Sequence, residues 1–208
     1  MEYSKEFKAA LSAFSSIEKD RLIFRLLKKD KLLSKKLYFE LIDPETTDLK
    51  RSRMEEHIEE KVLLASKYIG NPKYFLVIIR KISAEITEHV KITTDKFGEI
   101  SLHLILINTI LDHNEKLNQQ RFDNIYKLYL YLINKILKAL IMIKKLDEDY
   151  WIEIDEYLGD LEIKIHENKY FEKLCMNDTL DFTWLKCENI PDHLDLIVKD
   201  IRNQGFLK

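Results

Sequence analysis

The densest set of side chains able to do chemistry lies near the start of the chain. Lys19, Arg21, Arg25, Lys28, Lys29, Lys31, Lys35 and Lys36 fall within 18 residues, against only Asp20 and Asp30. Cations at this density suit contact with phosphate oxygens, and such affinity falls as salt rises. Lys50, Arg51 and Arg53 follow shortly after. Residues 147–162 invert the pattern. They hold Asp147, Glu148, Asp149, Glu153, Asp155, Glu156, Asp160 and Glu162 with no Lys or Arg. A basic first third against an acidic last third reads as a phosphate-binding face, or as solvated or mutually attracting lobes. The formal net charge of −2 favours the second, because a net-acidic chain has little long-range pull on polyanions. A second cationic line runs through Lys127, Tyr131, Lys138 and Lys145, with Asn134 and Lys135 beside it. Lys and Tyr interleaved along a helix can track a nucleic-acid backbone and stack a base. Lys stems lying over apolar neighbours give the same spacing. The nucleic-acid-contacting set expected from these patterns is Arg21, Arg25, Lys28, Lys29, Lys35, Lys36, Lys127, Tyr131 and Lys138.

Two acidic pairs, Glu56-x-x-Glu59 and Glu85-x-x-Glu88, sit on consecutive helical segments. Carboxylates so spaced suit a hard cation such as Mg²⁺. The spacing resembles that of all-helical nucleotide pyrophosphohydrolases, although the second pair ends in Glu where that family usually has Asp. The resemblance covers two short motifs and implies Mg-dependent hydrolysis of a nucleotide pyrophosphate. The core stripes turn Glu56 and Glu88 away from the apolar faces, against convergence on one metal. The six histidines form no HExxH or similar spacing, and His103 is expected as a hydrogen-bonded core imidazole. Cys175, Cys187 and His193 match no standard zinc spacing, so buried thiols are expected. With 4 Gly in the chain there is no phosphate-cradling loop and no strained nucleophile turn. No catalytic residue, metal ligand or cofactor is assigned.

These side chains must be positioned by helices. Only 4 Gly and 3 Pro punctuate 208 residues, and the stretches between them carry a helical period. Residues 2–14 form a short amphipathic segment with Phe7, Ala10, Leu11 and Phe14 on one side. Ser15 with Glu18 makes a capping box for a helix to Lys29, and Asp30 caps a helix over 31–42. Pro44 breaks the pattern. A helix over 49–69 carries Met54, Ile58, Val62, Ala65 and Ile69, and Gly70 suits a left-handed end. Asn71-Pro72 opens a helix over 72–91. Residues 99–114 are apolar nearly all round, which marks a central helix. The longest helix spans 119–146, and the last begins near Asp192. Residues 150–166 read as a helix through Trp151, Ile154, Leu158, Leu161 and Ile165. Small hairpins are the lesser alternative near 90–104 and 150–165, where apolar residues also alternate. The aromatic-rich stretch over 169–191 sustains no single stripe; it is expected to pack over the core, the alternative being anchors for a protein partner.

The fold class is therefore all-α, one domain over 1–208. Eight to ten helices in antiparallel pairs form an irregular bundle or a short α-α superhelix. A soluble, cytoplasmic protein is expected, since no signal peptide or membrane span is visible and the charged fraction is 34%. The function expected is a non-enzymatic helical interaction or scaffold protein that binds a protein partner or itself, with no membrane contact. The alternatives are a nucleic-acid-associated protein using the basic N-terminal hairpin and the Mg-dependent hydrolase.

Overall fold

The computed structural model describes residues 2–176 and 180–207, which leaves 177–179 of the aromatic-rich stretch outside the described residues. Eleven α-helices and four short 3-10 turns, with no strand, account for the described secondary structure. The helices are α1 (Lys5–Ser12), α2 (Ser16–Lys29), α3 (Lys31–Leu41), α4 (Thr47–Ala65), α5 (Pro72–Thr93), α6 (Lys96–Leu111), α7 (Asn114–Asn118), α8 (Phe122–Ile143), α9 (Trp151–His166), α10 (Lys169–Met176) and α11 (Leu194–Asn203). The two beyond the nine segments legible in the sequence are the short α7 and α10.

Helix α6 organises the molecule. Its apolar residues point in every direction, and it packs on α4, α5, α8 and α9 together. A helix enclosed on four sides belongs to a bundle; in a superhelix of stacked hairpins each pair meets only its neighbours. One hydrophobic cluster runs from Ile58 through Leu102, Leu104, Ile136 and Leu161 to Val198.

Neither hairpin forms. Around 90–104, α5 continues to Thr93, and Thr94 turns the chain in the left-handed region at φ 57°. The Asp95 side chain then accepts from Gly98 N at 2.8 Å and caps α6. The alternation from Ile100 to Leu104 is one part of a helix buried all round. In α9 the buried residues are Ile154, Leu158, Leu161 and Ile165, a helical i, i+4, i+7, i+11 series. Ile163, which a strand would bury beside Leu161 and Ile165, is 63% exposed. Gly70 also departs from expectation. It follows a 3-10 turn at Ser66–Tyr68, and the positive-φ positions are Thr94, Gly205 and Leu207.

Polar clips fasten α9 to the central layer. Asn108, Asn114 and Asn118 donate to the carbonyls of Tyr157 (3.0 Å), Lys164 (2.7 Å) and Glu167 (3.1 Å). Lys164 pairs with Asp112 at 2.6 Å and Asp160 at 2.7 Å. Below them Asn168, fully buried, donates to Asn114 Oδ1 and to the Tyr129 hydroxyl, and accepts from Phe171 N. Phe171 stacks on Tyr129 with centroids 5.0 Å apart, so the aromatic stretch does pack over the core.

The first three helices stand apart from this core. α3 lies against α5 and α2 lies on α3, yet α1, α2 and α3 contain no buried residue.

Candidate functional site

Helix α2 is built to be stable without a core around it. Ser15 and Glu18 close the expected capping box: Ser15 N donates to Glu18 Oε2 at 2.8 Å, and Glu18 N to Ser15 Oγ at 3.3 Å. Lys28 and Lys29 occupy the last turn, where the helix dipole favours cations. Asp30 ends α2 and caps α3 by accepting from Leu33 N at 3.0 Å. Capping at both ends offsets the cost of a short helix with little packing.

The exposed face of α2 alternates chemistry along one line. Ile17, Arg21, Phe24 and Lys28 recur at i, i+4, i+7 and i+11, with Arg25 beside them. Ile17 is 65% exposed and Phe24 64%. Arg21, Arg25 and Lys28 are exposed, with no ion-pair partner among the described residues. Phe7, Leu11 and Phe14 of the α1 region are exposed as well, and so are Ile23 and Leu26 on another side of α2. Residues 3–42 contribute twelve of the twenty-five large apolar side chains that stand exposed among the described residues.

The other expected cations are distributed differently. Lys35 pairs with Glu88 at 2.5 Å and ties α3 to α5, and Lys36 sits 3.7 Å from Glu40. Lys29 is exposed at the end of α2. Lys50 is clamped by Asp43 (2.8 Å) and Glu45 (3.1 Å) and lies over the Phe39 ring, so its pKa rises and that of Asp43 falls. Arg51 reaches Asp48 and Asp95 and stacks on Phe97. On α8, Lys127 is exposed, and Lys138 bonds Glu99 at 2.9 Å. Tyr131 between them is half-buried, with Arg80 and Lys135 over its ring. Burial raises its hydroxyl pKa.

Beneath Tyr131 lies a buried polar knot. His103 Nδ1 is 2.7 Å from the Glu99 carbonyl, which fixes that nitrogen as the donor. Its Nε2 then accepts from Ser83 Oγ at 3.3 Å and from Lys135 Nζ at 3.0 Å. Burial first, and the Lys135 charge second, hold His103 down to about 4. Burial likewise lowers Lys135 to about 8. A hydroxyl, an imidazole and a lysine in reach of one another form a reactive set only where substrate can enter. Ser83 and His103 are both buried, and the void beside His103 and Lys135 is about 10 Å³, far too small to admit a substrate. The knot joins α5, α6 and α8; it is the satisfied core histidine that the apolar surroundings of His103 predicted.

The acidic pairs do not converge. Glu85 bonds His57 Nε2 at 2.8 Å, Glu88 is held by Lys35, and Glu56 and Glu59 are exposed. Among the described residues no group of three or more His, Cys, Asp or Glu is placed to hold a metal ion. Cys175 and Cys187 are buried, and burial pushes the Cys175 thiol up to about 12 and raises that of Cys187 as well. Neither is a thiolate nucleophile near neutral pH. A cleft of about 860 Å³ opens between the starts of α4 and α6 and the end of α8. Of its cations, Arg51 and Lys144 are paired with Asp48, Asp95 and Asp192, while Lys96 and Lys145 on its rim are exposed without an ion-pair partner among the described residues. Among the described residues no helix is long and apolar enough to cross a membrane.

The α2 face combines two features, and only its cations were read from the sequence as a site. Its apolar members, Ile17 and Phe24, lie among the cations and carried no such signal, and neither meets a core here. Comparison with known protein families, with curated proteins and with solved structures finds no match.

Proposed function

We propose that this chain is a non-enzymatic helical interaction module, which takes an acidic amphipathic helix of a protein partner onto the basic, apolar face of α2. One observation carries the reading: Ile17 and Phe24 stand about two-thirds exposed on a helix with no fully buried residue, interleaved with Arg21, Arg25 and Lys28. Aromatic and arginine side chains are the usual anchors of protein interfaces, and clustered apolar groups on a surface mark a place where something docks. The interleaved cations select the sign of the partner. The helix-in-groove mode uses the same i, i+4, i+7 spacing.

The test titrates a synthetic acidic amphipathic helical peptide, and the same peptide with Lys for each Glu, against the full chain by calorimetry. Binding of the acidic peptide alone is expected, and Ile17→Asp combined with Phe24→Asp should abolish it. Equal binding of both peptides, or of neither, overturns the reading. The unpaired Arg21, Arg25, Lys28 and Lys29 favour one runner-up, a phosphate backbone. Nucleic acid held at low salt and unaffected by Ile17→Asp with Phe24→Asp would establish that alternative.

A further inference from the structure

We infer that the occupant of the α2 face is α9 of a second copy of this chain, which rests on the reading of α2 as a docking surface. The outer face of α9 answers α2 in kind. Ile152, Glu156, Asp160 and Ile163 share one side of the helix, and the two isoleucines are 78% and 63% exposed. Glu153 and Glu156 are exposed without an ion-pair partner among the described residues, and Asp160 shares Lys164 with Asp112. The α9 stripe is therefore apolar at both ends and acidic between, where the α2 stripe alternates apolar and basic.

Gly159 adds an independent pointer. A glycine inside a helix is less favourable than alanine by about 0.5–1 kcal/mol. Nothing in the chain requires one here, since a Cβ at this position would meet no atom within 4 Å. The missing side chain leaves a shallow hollow on the outer face, where a facing helix can come close. An antiparallel crossing lays Arg21, Arg25 and Lys28 beside Asp160, Glu156 and Glu153 and seats Phe24 at that hollow. Pairing α2 with α2 instead would set like charges against each other. Two copies exchanging α2 for α9 reciprocally make a closed two-fold dimer.

The experiment is sedimentation of the full chain at low and at high salt. Self-association weakened by salt is expected. Two charge-reversed chains follow, one with Arg21→Glu, Arg25→Glu and Lys28→Glu, the other with Glu153→Lys, Glu156→Lys and Asp160→Lys. Each alone should associate at least about tenfold more weakly than the parent. Their equimolar mixture should regain the parent association, because each acidic α2 then meets a basic α9 and the reverse. Circular dichroism establishes that both fold. Gly159→Gln serves as a second probe. It should raise the melting temperature, through helix propensity, and lower association by filling the hollow. A parent monomeric to about 1 mM, or a mixture no tighter than its separate components, overturns the inference. If that chain nevertheless binds the acidic peptide, only the identity of the partner fails. If it binds neither, the docking surface itself is refuted.

Discussion

Replacing Gly98 with alanine should destabilise the protein, against the usual rule. Alanine is better than glycine inside a helix by about 0.5–1 kcal/mol. At Gly98, the third residue of α6, a Cβ would lie 2.3 Å from Asp95 Oδ2 and 3.3 Å from Arg51 Cδ. The first distance forces the Asp95 carboxylate aside. That carboxylate accepts from Gly98 N at 2.8 Å through Oδ1, and from Arg51 Nη1 at 2.8 Å through Oδ2. Loss of an N-cap bond costs about 1 kcal/mol. Loss of a charge-assisted bond costs about 1.5–3 kcal/mol more, since Asp95 is buried and Arg51 mostly so. Net of the propensity gain, Gly98→Ala should lose about 2–3 kcal/mol, a fall in Tm of about 5–10 °C for a chain of this size. Urea unfolding followed by circular dichroism measures it, with Asp95→Ala and the double variant alongside. Once the Asp95 carboxylate is gone the clash goes with it, so Gly98→Ala in that background should become stabilising by about 0.5–1 kcal/mol. A single variant as stable as the parent, or a loss unchanged in the Asp95→Ala background, refutes the reasoning.

The buried His103 makes stability depend on pH. Below its ordinary pKa of about 6.5 the unfolded chain takes up a proton that the folded chain refuses until about 4. Stability should therefore fall as pH drops across that window, by about 3 kcal/mol at its foot, with no slope from this group above pH 6.5. His103→Gln should flatten that part of the urea-midpoint profile, and an unchanged slope would count against the assignment. Asn168→Ala should cost about 2–4 kcal/mol, because it strips the buried Tyr129 hydroxyl and Asn114 amide of a partner; a loss under 1 kcal/mol by urea unfolding would contradict the network. Two neighbours on α9 separate helix from strand cleanly. Ile165→Ala should cost about 2–4 kcal/mol, while Ile163→Ala stays within about 0.5 kcal/mol. Similar losses at both, in the same unfolding assay, would contradict the placement of α9.

Most of the helix boundaries were legible because their signals are local. Ser15 with Glu18, Asp30, and Asn71 with Pro72 each act within four residues and needed no knowledge of the rest of the chain. The all-round apolar character of α6 likewise located the centre of the bundle. Gly70 misled because glycine permits a left-handed turn without requiring one, and Thr94 takes that conformation where the chain must reverse between α5 and α6. The helical series of α9 was legible through Ile154, Leu158, Leu161 and Ile165, and the competing alternation arose because Ile163 is apolar yet turned outward. The candidate surface was half legible. Charge is visible residue by residue, so the cations of α2 stood out. Whether Ile17 and Phe24 are covered depends on where distant segments go, and no local pattern carries that.

The asparagines that clip α9 bear on uniqueness more than on strength. The α6 and α9 faces meet mainly through Leu and Ile, and such a contact is nearly as well filled after a slide of one helical turn, about 5.4 Å. Asn108, Asn114 and Asn118 break that degeneracy, because a slide takes all three amides away from the Tyr157, Lys164 and Glu167 carbonyls at once. Together with the Lys164–Asp112 ion pair they act as index marks along an otherwise apolar seam. Their loss would leave a protein still folded and still helical, but with more than one axial setting of α9. The acidic stripe on its outer side would then no longer be presented at one height.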